Sequence, residues 1–168
     1  MKKLVMLLLA VAVLSLIGCG PVPTRADYSY MDTAPIIEPD EESAVIYFFR
    51  ESAFIGGGIS YFVVEDGKNI GMLKSGSYFI HKTTPGMHTY SAETEAKTFL
   101  TLNTDAGKKY YVAGGISIGF WAGRPMLQEV TEITARHMLQ QDLKYIRLNS
   151  DEEAEAYRAA KKAEAERK

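Results

Sequence analysis

The sequence predicts a mainly β protein, a single antiparallel β-sandwich followed by a helical C-terminal segment. Two observations lead to this prediction. From residue 44 to residue 130, short runs of β-branched and aromatic residues alternate with turn signals of Gly, Pro and Asp, the pattern of an all-β sandwich or barrel. Towards the C-terminus the chain becomes rich in Ala, Glu, Lys and Arg, which favours helix.

The first element is predicted to be a signal peptide over residues 1–18. Lys2 and Lys3 form a basic start, and residues 4–17 carry no charge. An apolar stretch of this length is too short to span a bilayer comfortably as a mature helix, and it fits the apolar region of a signal peptide.

Cys19 is the only cysteine of the chain and follows Leu16, Ile17 and Gly18. This is the pattern of a lipobox, in which the thiol becomes a diacylglyceryl thioether and the signal peptidase cleaves before the cysteine. We therefore expect the mature chain to begin at Cys19, outside the cytoplasm, and to be held at a membrane by acyl chains.

Residues 19–43 are expected to form an extended, acidic tether. Four of the six prolines of the chain lie here, namely Pro21, Pro23, Pro35 and Pro39. Proline blocks helix and removes backbone donors, so the segment would hold the folded domain away from the lipid surface. The alternative is that part of the segment packs on the domain through its aromatic and isoleucine side chains.

The β-sandwich domain is predicted over residues 44–130. The expected strands are 44–50, 61–65, 68–73, 77–82, 87–95, 98–103, 109–118 and 126–130. The first of these (AVIYFFR) is almost entirely apolar or aromatic, which indicates a central strand buried on both faces. Asp66-Gly67 predicts a two-residue hairpin, and Pro85-Gly86 predicts a type II turn.

Two helical segments are predicted after the sandwich. An amphipathic helix over 131–148, packed on or near the domain, follows from Leu139, Leu143 and Ile146 at near-helical spacing. Residues 149–168 are expected to form a charged, solvated helix, because Ser150 and Glu153 make a capping box. A role of this tail as a docking helix remains an alternative.

Five motifs follow one another between residues 46 and 112: IYFFR at 46–50, VEDGKNIG at 64–71, GSYF at 76–79, TPGMH at 84–88 and YYV at 110–112. In this order they resemble a bacterial lipoprotein family known as domain-of-unknown-function family 2846, and also PEGA-type modules, which are small surface-exposed β-sandwiches. The resemblance implies a β-sandwich on an envelope lipoprotein. It supplies no catalytic residues, because the family carries no established activity. Within such lipoproteins, Gly20 in place of an aspartate after the lipidated cysteine favours the periplasmic face of the outer membrane of a Gram-negative host.

Composition argues against several functions. The formal net charge is −2 over 168 residues, whereas a nucleic-acid binder would usually carry a basic patch. No catalytic nucleophile motif or phosphate-binding loop is present in the sequence. We therefore predict a non-catalytic protein without a cofactor, with a hydrolase only as a remote alternative.

The histidines give a weak signal for a metal site. His81 and His88 flank the Pro85-Gly86 turn, so neighbouring strands would bring them together, with Glu93 or Glu95 as the nearest third ligand. Polar strand residues, with His88 supporting the turn by a hydrogen bond, are the better interpretation, and no metal is predicted.

A glycine-flanked loop holds the candidate contact residues Phe120, Trp121 and Arg124. Exposed aromatic side chains on the rim of a sandwich commonly contact proteins or sugars; the alternative is that the rings fold back over the core. We expect protein–protein interaction in the cell envelope as the function, with glycan or peptidoglycan binding as the alternative. The sequence does not identify the partner.

Overall fold

The computed structural model describes residues 22–120 and 123–167. The signal peptide, the lipobox and Trp121 lie outside the described residues. The strands are β1 Tyr28–Met31, β2 Ala44–Arg50, β3 Tyr61–Glu65, β4 Lys68–Leu73, β5 Ser77–Thr83, β6 Gly86–Glu93, β7 Lys97–Thr104, β8 Lys109–Ser117, β9 Arg124–Glu129 and β10 Lys144–Leu148, and the helices are α1 Glu132–Leu139 and α2 Asp151–Ala165.

The strands form two facing sheets, which confirms the predicted mainly β sandwich. One sheet has the strand order β1-β10-β5-β2-β8-β9, and the other has the order β4-β3-β6-β7. The expectation of purely antiparallel pairing was wrong at two places, because β10 pairs with β5 in parallel and β2 pairs with β8 in parallel. These strands are far apart in sequence, so no hairpin forces them to run in opposite directions.

Aromatic side chains fill the space between the sheets. Phe48 of β2 stacks on Phe79 with 4.8 Å between ring centroids. It also meets Tyr90 of the other sheet edge-on at 5.1 Å. All three side chains are buried, so β2 is the central strand that its apolar sequence predicts.

Close backbone packing requires a glycine at position 114 of β8. A Cβ atom at Gly114 of β8 would overlap the side chain of Leu73 and lie 2.6 Å from the Tyr61 hydroxyl. The glycine therefore lets β8 approach the facing sheet closely.

The predicted tether is wrong over its middle part. Residues 28–31 form β1, which pairs with all but the first residue of β10 in antiparallel register. Tyr28 is buried and packs with Met72 and Ile146. This burial explains why the proline-rich segment joins the domain at this point.

The predicted helix over 131–148 is only half correct. Helix α1 ends at Leu139, and Lys144–Leu148 forms strand β10 between β1 and β5. Leu139 and Ile146 therefore do not share a helix face. The strand form is favoured because it buries Tyr145 and Ile146 and satisfies backbone groups on both of its sides.

Helix α2 begins with the predicted capping box. The Ser150 hydroxyl accepts from the Glu153 amide, and the Glu153 carboxylate accepts from the Ser150 amide. Most of the helix is exposed, and Ala154 is its buried residue. The predicted solvated helix is confirmed for residues 151–165.

The strand directions give the sandwich two distinct ends. Arg50 and Ser117, where β2 and β8 finish, lie at one end, which we call the loop end. Thr83, where β5 finishes, lies at the opposite end. Tyr28 pairs with Leu148 at the finish of β10, which runs parallel to β5. Residues 22–27 therefore lie at this second end, which we call the N-terminal end.

Candidate functional site

An open, polar cleft of about 520 Å³ lies at the N-terminal end. It is bordered by the β3–β4 hairpin and by the connection between β5 and β6. Its lining residues are Asp40, Glu42, Ser43, Glu65, Asp66, His81, Lys82, Thr83, Thr84 and His88.

The β3–β4 turn beside the cleft has the predicted backbone features. Asp66 and Gly67 both have positive φ, at 48° and 76°, as a two-residue hairpin between β3 and β4 requires. Gly86 after Pro85 also has positive φ, but at 131° and within β6 it departs from the roughly 80° of the predicted type II turn. That turn does not join neighbours in one sheet, because β5 and β6 belong to different sheets.

A His–Glu–His cluster, formed by His81, Glu65 and His88, lies in this cleft. His81 Nε2 is 2.8 Å from Glu65 Oε2, and His88 Nδ1 is 2.8 Å from Glu65 Oε1. The Glu65 side chain is only 13% exposed. A carboxylate this far from solvent needs nearby donors. His81 Nε2 is a hydrogen-bond partner of Oε2, whereas Oε1 is buried and makes no hydrogen bond, despite its short contact with His88.

His88 also fastens the turn that precedes it. Its Nε2 lies 2.8 Å from the Thr84 carbonyl oxygen. Because a carbonyl only accepts, Nε2 carries a proton and donates it.

Tyr90 lies beneath the cluster and links it to the core. Its ring centroid is 6.2 Å from that of His81 and 6.3 Å from that of His88. Burial, together with the nearby Glu65 charge, raises the pKa of Tyr90 above its usual value. The phenol therefore stays neutral at physiological pH.

The sequence correctly placed the two histidines near each other but suggested the wrong acids. Glu93 is at the far end of β6, towards the loop end, whereas Glu65 lies directly before the β3–β4 turn. The available signal was that Glu65 and His81 both lie next to strand ends that meet at one end of the sandwich. Among residues 22–120 and 123–167, no group of three His, Cys, Asp or Glu side chains is arranged to hold a metal ion. The third histidine, His137, is exposed on α1.

An ion pair stands at the mouth of the cleft. Lys82 Nζ is 2.7 Å from Asp40 Oδ2. Hydrogen bonds from Lys82, from the Ser43 hydroxyl and from the Glu42 amide lower the pKa of Asp40 to about 2. The segment before β2 is thereby fixed to β5.

The loop end presents a second candidate site, which is apolar. Phe54, Ile55, Ile118 and Phe120 are exposed in the loops that follow β2 and β8. We call this set the apolar rim. Phe54 is fully exposed, and Ile118 and Phe120 are 91% and 80% exposed, which is unusual for side chains that gain free energy by leaving water.

Contacts between the loops define the position of the apolar rim. Backbone at Gly123 approaches the side chains of Ile59 and Ile116. Thr94 Oγ1 donates to the Gly123 carbonyl at 2.6 Å, and the Phe120 amide donates to Glu95 Oε1 at 2.8 Å. The loops after β2, β6 and β8 therefore meet at one end.

Arg50 supports the rim from below. Its side chain is buried and donates to the carbonyl oxygens of Gly56 and Ile59, both at 2.7 Å. The guanidinium also lies 5.8 Å from the centre of the Tyr61 ring. Burial lowers the pKa of Arg50, yet these contacts keep the loop after β2 attached to the sandwich.

Two of the three predicted contact residues are at the apolar rim. Phe120 is exposed there, and Arg124 Nε is 3.4 Å from Glu95 Oε1 with its side chain 61% exposed. Trp121 lies outside the described residues. Sequence reasoning missed Phe54, Ile55 and Ile118, although the glycines at 56–58 marked a loop there.

The described helices do not include one that is both long and apolar enough to cross a bilayer.

Comparison with known proteins identifies the family of the chain. A family model described as a protein of unknown function (DUF2846) matches residues 40–123, half of the 168 residues. A Haemophilus influenzae protein described as uncharacterized is 27% identical over 120 residues, which cover 71% of this chain and 71% of that protein. No solved structure matches. The family match spans the cleft and the loops of the apolar rim, and the chain belongs to the DUF2846 family.

Proposed function

We propose that this chain is a lipid-anchored lipoprotein of the bacterial envelope that acts as a non-catalytic binding module for another envelope protein. The anchor is the predicted acylation of Cys19, with the outer membrane favoured in a Gram-negative host. The observation that carries the binding role is the exposure of the apolar rim. Several large apolar side chains exposed at one loop cluster are typical of a protein-binding surface.

The position of the apolar rim supports this role. It lies at the opposite end of the sandwich from residues 22–27, the part of the described chain nearest to Cys19. An anchored domain would hold the rim away from the membrane, where a partner can reach it. Strand β2 alone spans about 23 Å between the two ends, at roughly 3.3 Å per residue.

The fixed geometry of the rim also favours binding. The contacts of Arg50 and Thr94 hold the loops in place, so less conformational entropy would be lost when a partner docks. The polar cleft is less suited to an enzyme, because it is open to solvent and its imidazoles contact Glu65 and backbone.

Site-specific photo-crosslinking in intact cells tests the proposal. The full-length precursor would carry a photoreactive phenylalanine at position 54 or, as the matched control, at position 133. Ile133 is also an exposed apolar residue, but it lies on α1. We expect a discrete protein adduct from position 54 and none from position 133.

Two further variants measure the contribution of the apolar rim. Replacing Ile118 by Ser removes an apolar contact worth about 1.5 to 3 kcal/mol, so the adduct at position 54 should fall about tenfold or more. Met87→Ser changes another exposed apolar residue, outside the rim, and should leave the yield unchanged. Equal adducts from positions 54 and 133 would contradict the protein-binding role, and adducts that stay with purified cell wall would favour the glycan alternative.

Acylation is tested separately. Labelled palmitate should enter the natural chain and be lost in Cys19→Ser. The absence of label from the natural chain would remove the membrane-anchored part of the proposal without affecting the crosslinking result.

A further inference from the structure

The first described residues are fastened tightly to the base of helix α2. Asn149 donates from its side chain to the Ala26 carbonyl at 2.9 Å and from its amide to the Asp27 carbonyl at 2.9 Å. Arg158 of α2 reaches Asp27 Oδ1, also at 2.9 Å. The amide and hydroxyl of Thr24 donate in turn to Asp27 Oδ2 at 2.7 and 2.6 Å, so the chain is fixed to the domain from about Thr24 onwards, where the sequence predicts a tether.

This attachment limits how far the domain can stand from a lipid on Cys19. Five residue steps separate Cys19 from Thr24, and each spans at most about 3.6 Å, so the reach is roughly 18 Å or less. Helix α2 has 15 residues and is about 22 Å long at 1.5 Å per residue. An anchor on Cys19 therefore lies within one helix length of α2.

The face of α2 that meets the N-terminal segment continues into a basic stripe. Ala154 is buried, Tyr157 lies beside Arg25, and Arg158 pairs with Asp27. At the next turn of this face come Lys161 and Lys162, with side chains 58% and 79% exposed. Residues three and four apart share a helix face, so the exposed cations point to the side on which the anchored segment leaves the domain.

The acidic residues of α2 are mainly at its other end. Asp151, Glu152 and Glu153 form its first turn, and Glu153 is already paired with Arg147 at 2.5 Å. The carboxylates near the basic stripe, on Glu164 and Glu166, pair with its lysines along the helix. Such exposed pairs are weak, so the lysines can exchange them for phosphate.

We propose that the second half of α2, with Arg158, Lys161 and Lys162, rests on the anionic headgroups of the membrane that holds the acyl chains. The inference deepens the proposed function and rests on acylation of Cys19. The occupant of this helix face is a lipid surface, because the chain between Thr24 and the anchor is too short to lift α2 far from it. The sandwich would then stand with its apolar rim pointing away from the bilayer.

Fluorescence quenching on the acylated, full-length mature protein tests this arrangement. The protein would be placed in nanodiscs of phosphatidylethanolamine and phosphatidylglycerol that contain a headgroup-labelled nitroxide lipid. Because the acyl chain occupies the thiol of Cys19, an introduced cysteine is the one thiol that takes a fluorophore. Ala165→Cys places the label on the basic face, and Ala160→Cys places it on the opposite face of the same helix. Ile118→Cys labels the apolar rim.

We expect the label at position 165 to be quenched at least severalfold more than the labels at positions 160 and 118. The excess should fall in discs of phosphatidylcholine alone, in Lys161→Gln/Lys162→Gln, and near 1 M salt, where the Debye length is about 3 Å. Equal quenching at the three positions would overturn the inference. A label at position 165 that is shielded from solvent in native envelopes but is not quenched in discs would also overturn it, and would indicate a protein partner.

Absence of acylation at Cys19, on which the inference rests, would give a different result in this experiment. A chain without acyl groups would have its unmodified mass and would not stay with the nanodiscs. Retention in the discs with equal quenching overturns only the membrane contact of α2.

Discussion

The two ends of the sandwich are formed by the same strands but differ in the side chains that they expose. At the N-terminal end, ionisable side chains face one another, as in the His–Glu–His cluster and the Asp40–Lys82 pair. At the loop end, a buried cation, Arg50, satisfies backbone carbonyls from within, and large apolar side chains point into water. The comparison teaches that polar groups pair with one another within the chain at both ends, whereas the large apolar side chains of the loop end are left exposed to solvent.

The largest expected effect tests whether the two ends share one core. Phe48→Ala removes the ring that stacks on Phe79 and meets Tyr90, so the free energy of unfolding should fall by about 3 to 5 kcal/mol. Hydrogen exchange at both ends should rise together, while the exposed Phe99→Ala should change little. Separate unfolding of the two ends would show that the comparison is between two independent units.

The next largest effect is expected from a substitution that weakens the loop end alone. Arg50→Met removes two charge-assisted hydrogen bonds to Gly56 and Ile59, and relief of the buried charge offsets part of the loss. We expect a net loss of about 2 to 3 kcal/mol, measured by urea unfolding, and faster hydrogen exchange over residues 53–59. Arg124→Met, at an exposed arginine of the same end, is the control. Unchanged exchange in that loop would mean that Arg50 does not support the apolar rim.

A smaller effect is expected at the N-terminal end. Glu65→Gln keeps the shape but removes the charge that faces His81 and His88, at a cost of about 2 kcal/mol in unfolding free energy. Crosslinking from the apolar rim should be unchanged. Glu93→Gln, at a partly exposed acid near the loop end, serves as the control. A loss of crosslinking in Glu65→Gln would show that the two ends are coupled.

The smallest effect is a difference in acid sensitivity. The Arg147 guanidinium, with help from the Ser150 amide, lowers the pKa of Glu153 from its usual 4.5 to about 2. Because the folded-state pKa is lowered, the stabilisation is complete above pH 4.5 and is lost as the pH falls towards 2. Carboxyl titration by NMR should give a midpoint near 2, and Arg147→Gln should move it towards 4.5. A Glu153 titration midpoint near 4.5 in the unsubstituted protein would contradict the Arg147–Glu153 contact.

Local signals were sufficient for the strands between residues 44 and 129. There the apolar alternation, the Asp66-Gly67 turn and the positive φ of Gly86 are all properties of neighbouring residues. Residues 144–148 were predicted wrongly because Leu139, Leu143 and Ile146 fit helical spacing equally well. What decides the strand is pairing with residues 28–31, and that pairing leaves no trace in local periodicity.

The candidate sites show the same limit. The sequence indicated that His81 and His88 would be close, but the identity of their common partner, Glu65, depends on a hairpin from the other sheet. Phe120 and Arg124 were found from their local composition. Phe54 and Ile118 were missed because an isolated apolar residue in a loop gives no sign of whether it is buried.

The pairing of β1 with β10 has a consequence for the order of folding. Ser29 and Asn149, which are joined by a side-chain hydrogen bond, are 120 residues apart. Strand β1 is made early but has no partner until β10 emerges, and closing so long a loop is slow. The N-terminal segment therefore completes the six-stranded sheet only after residues 144–148 have been made.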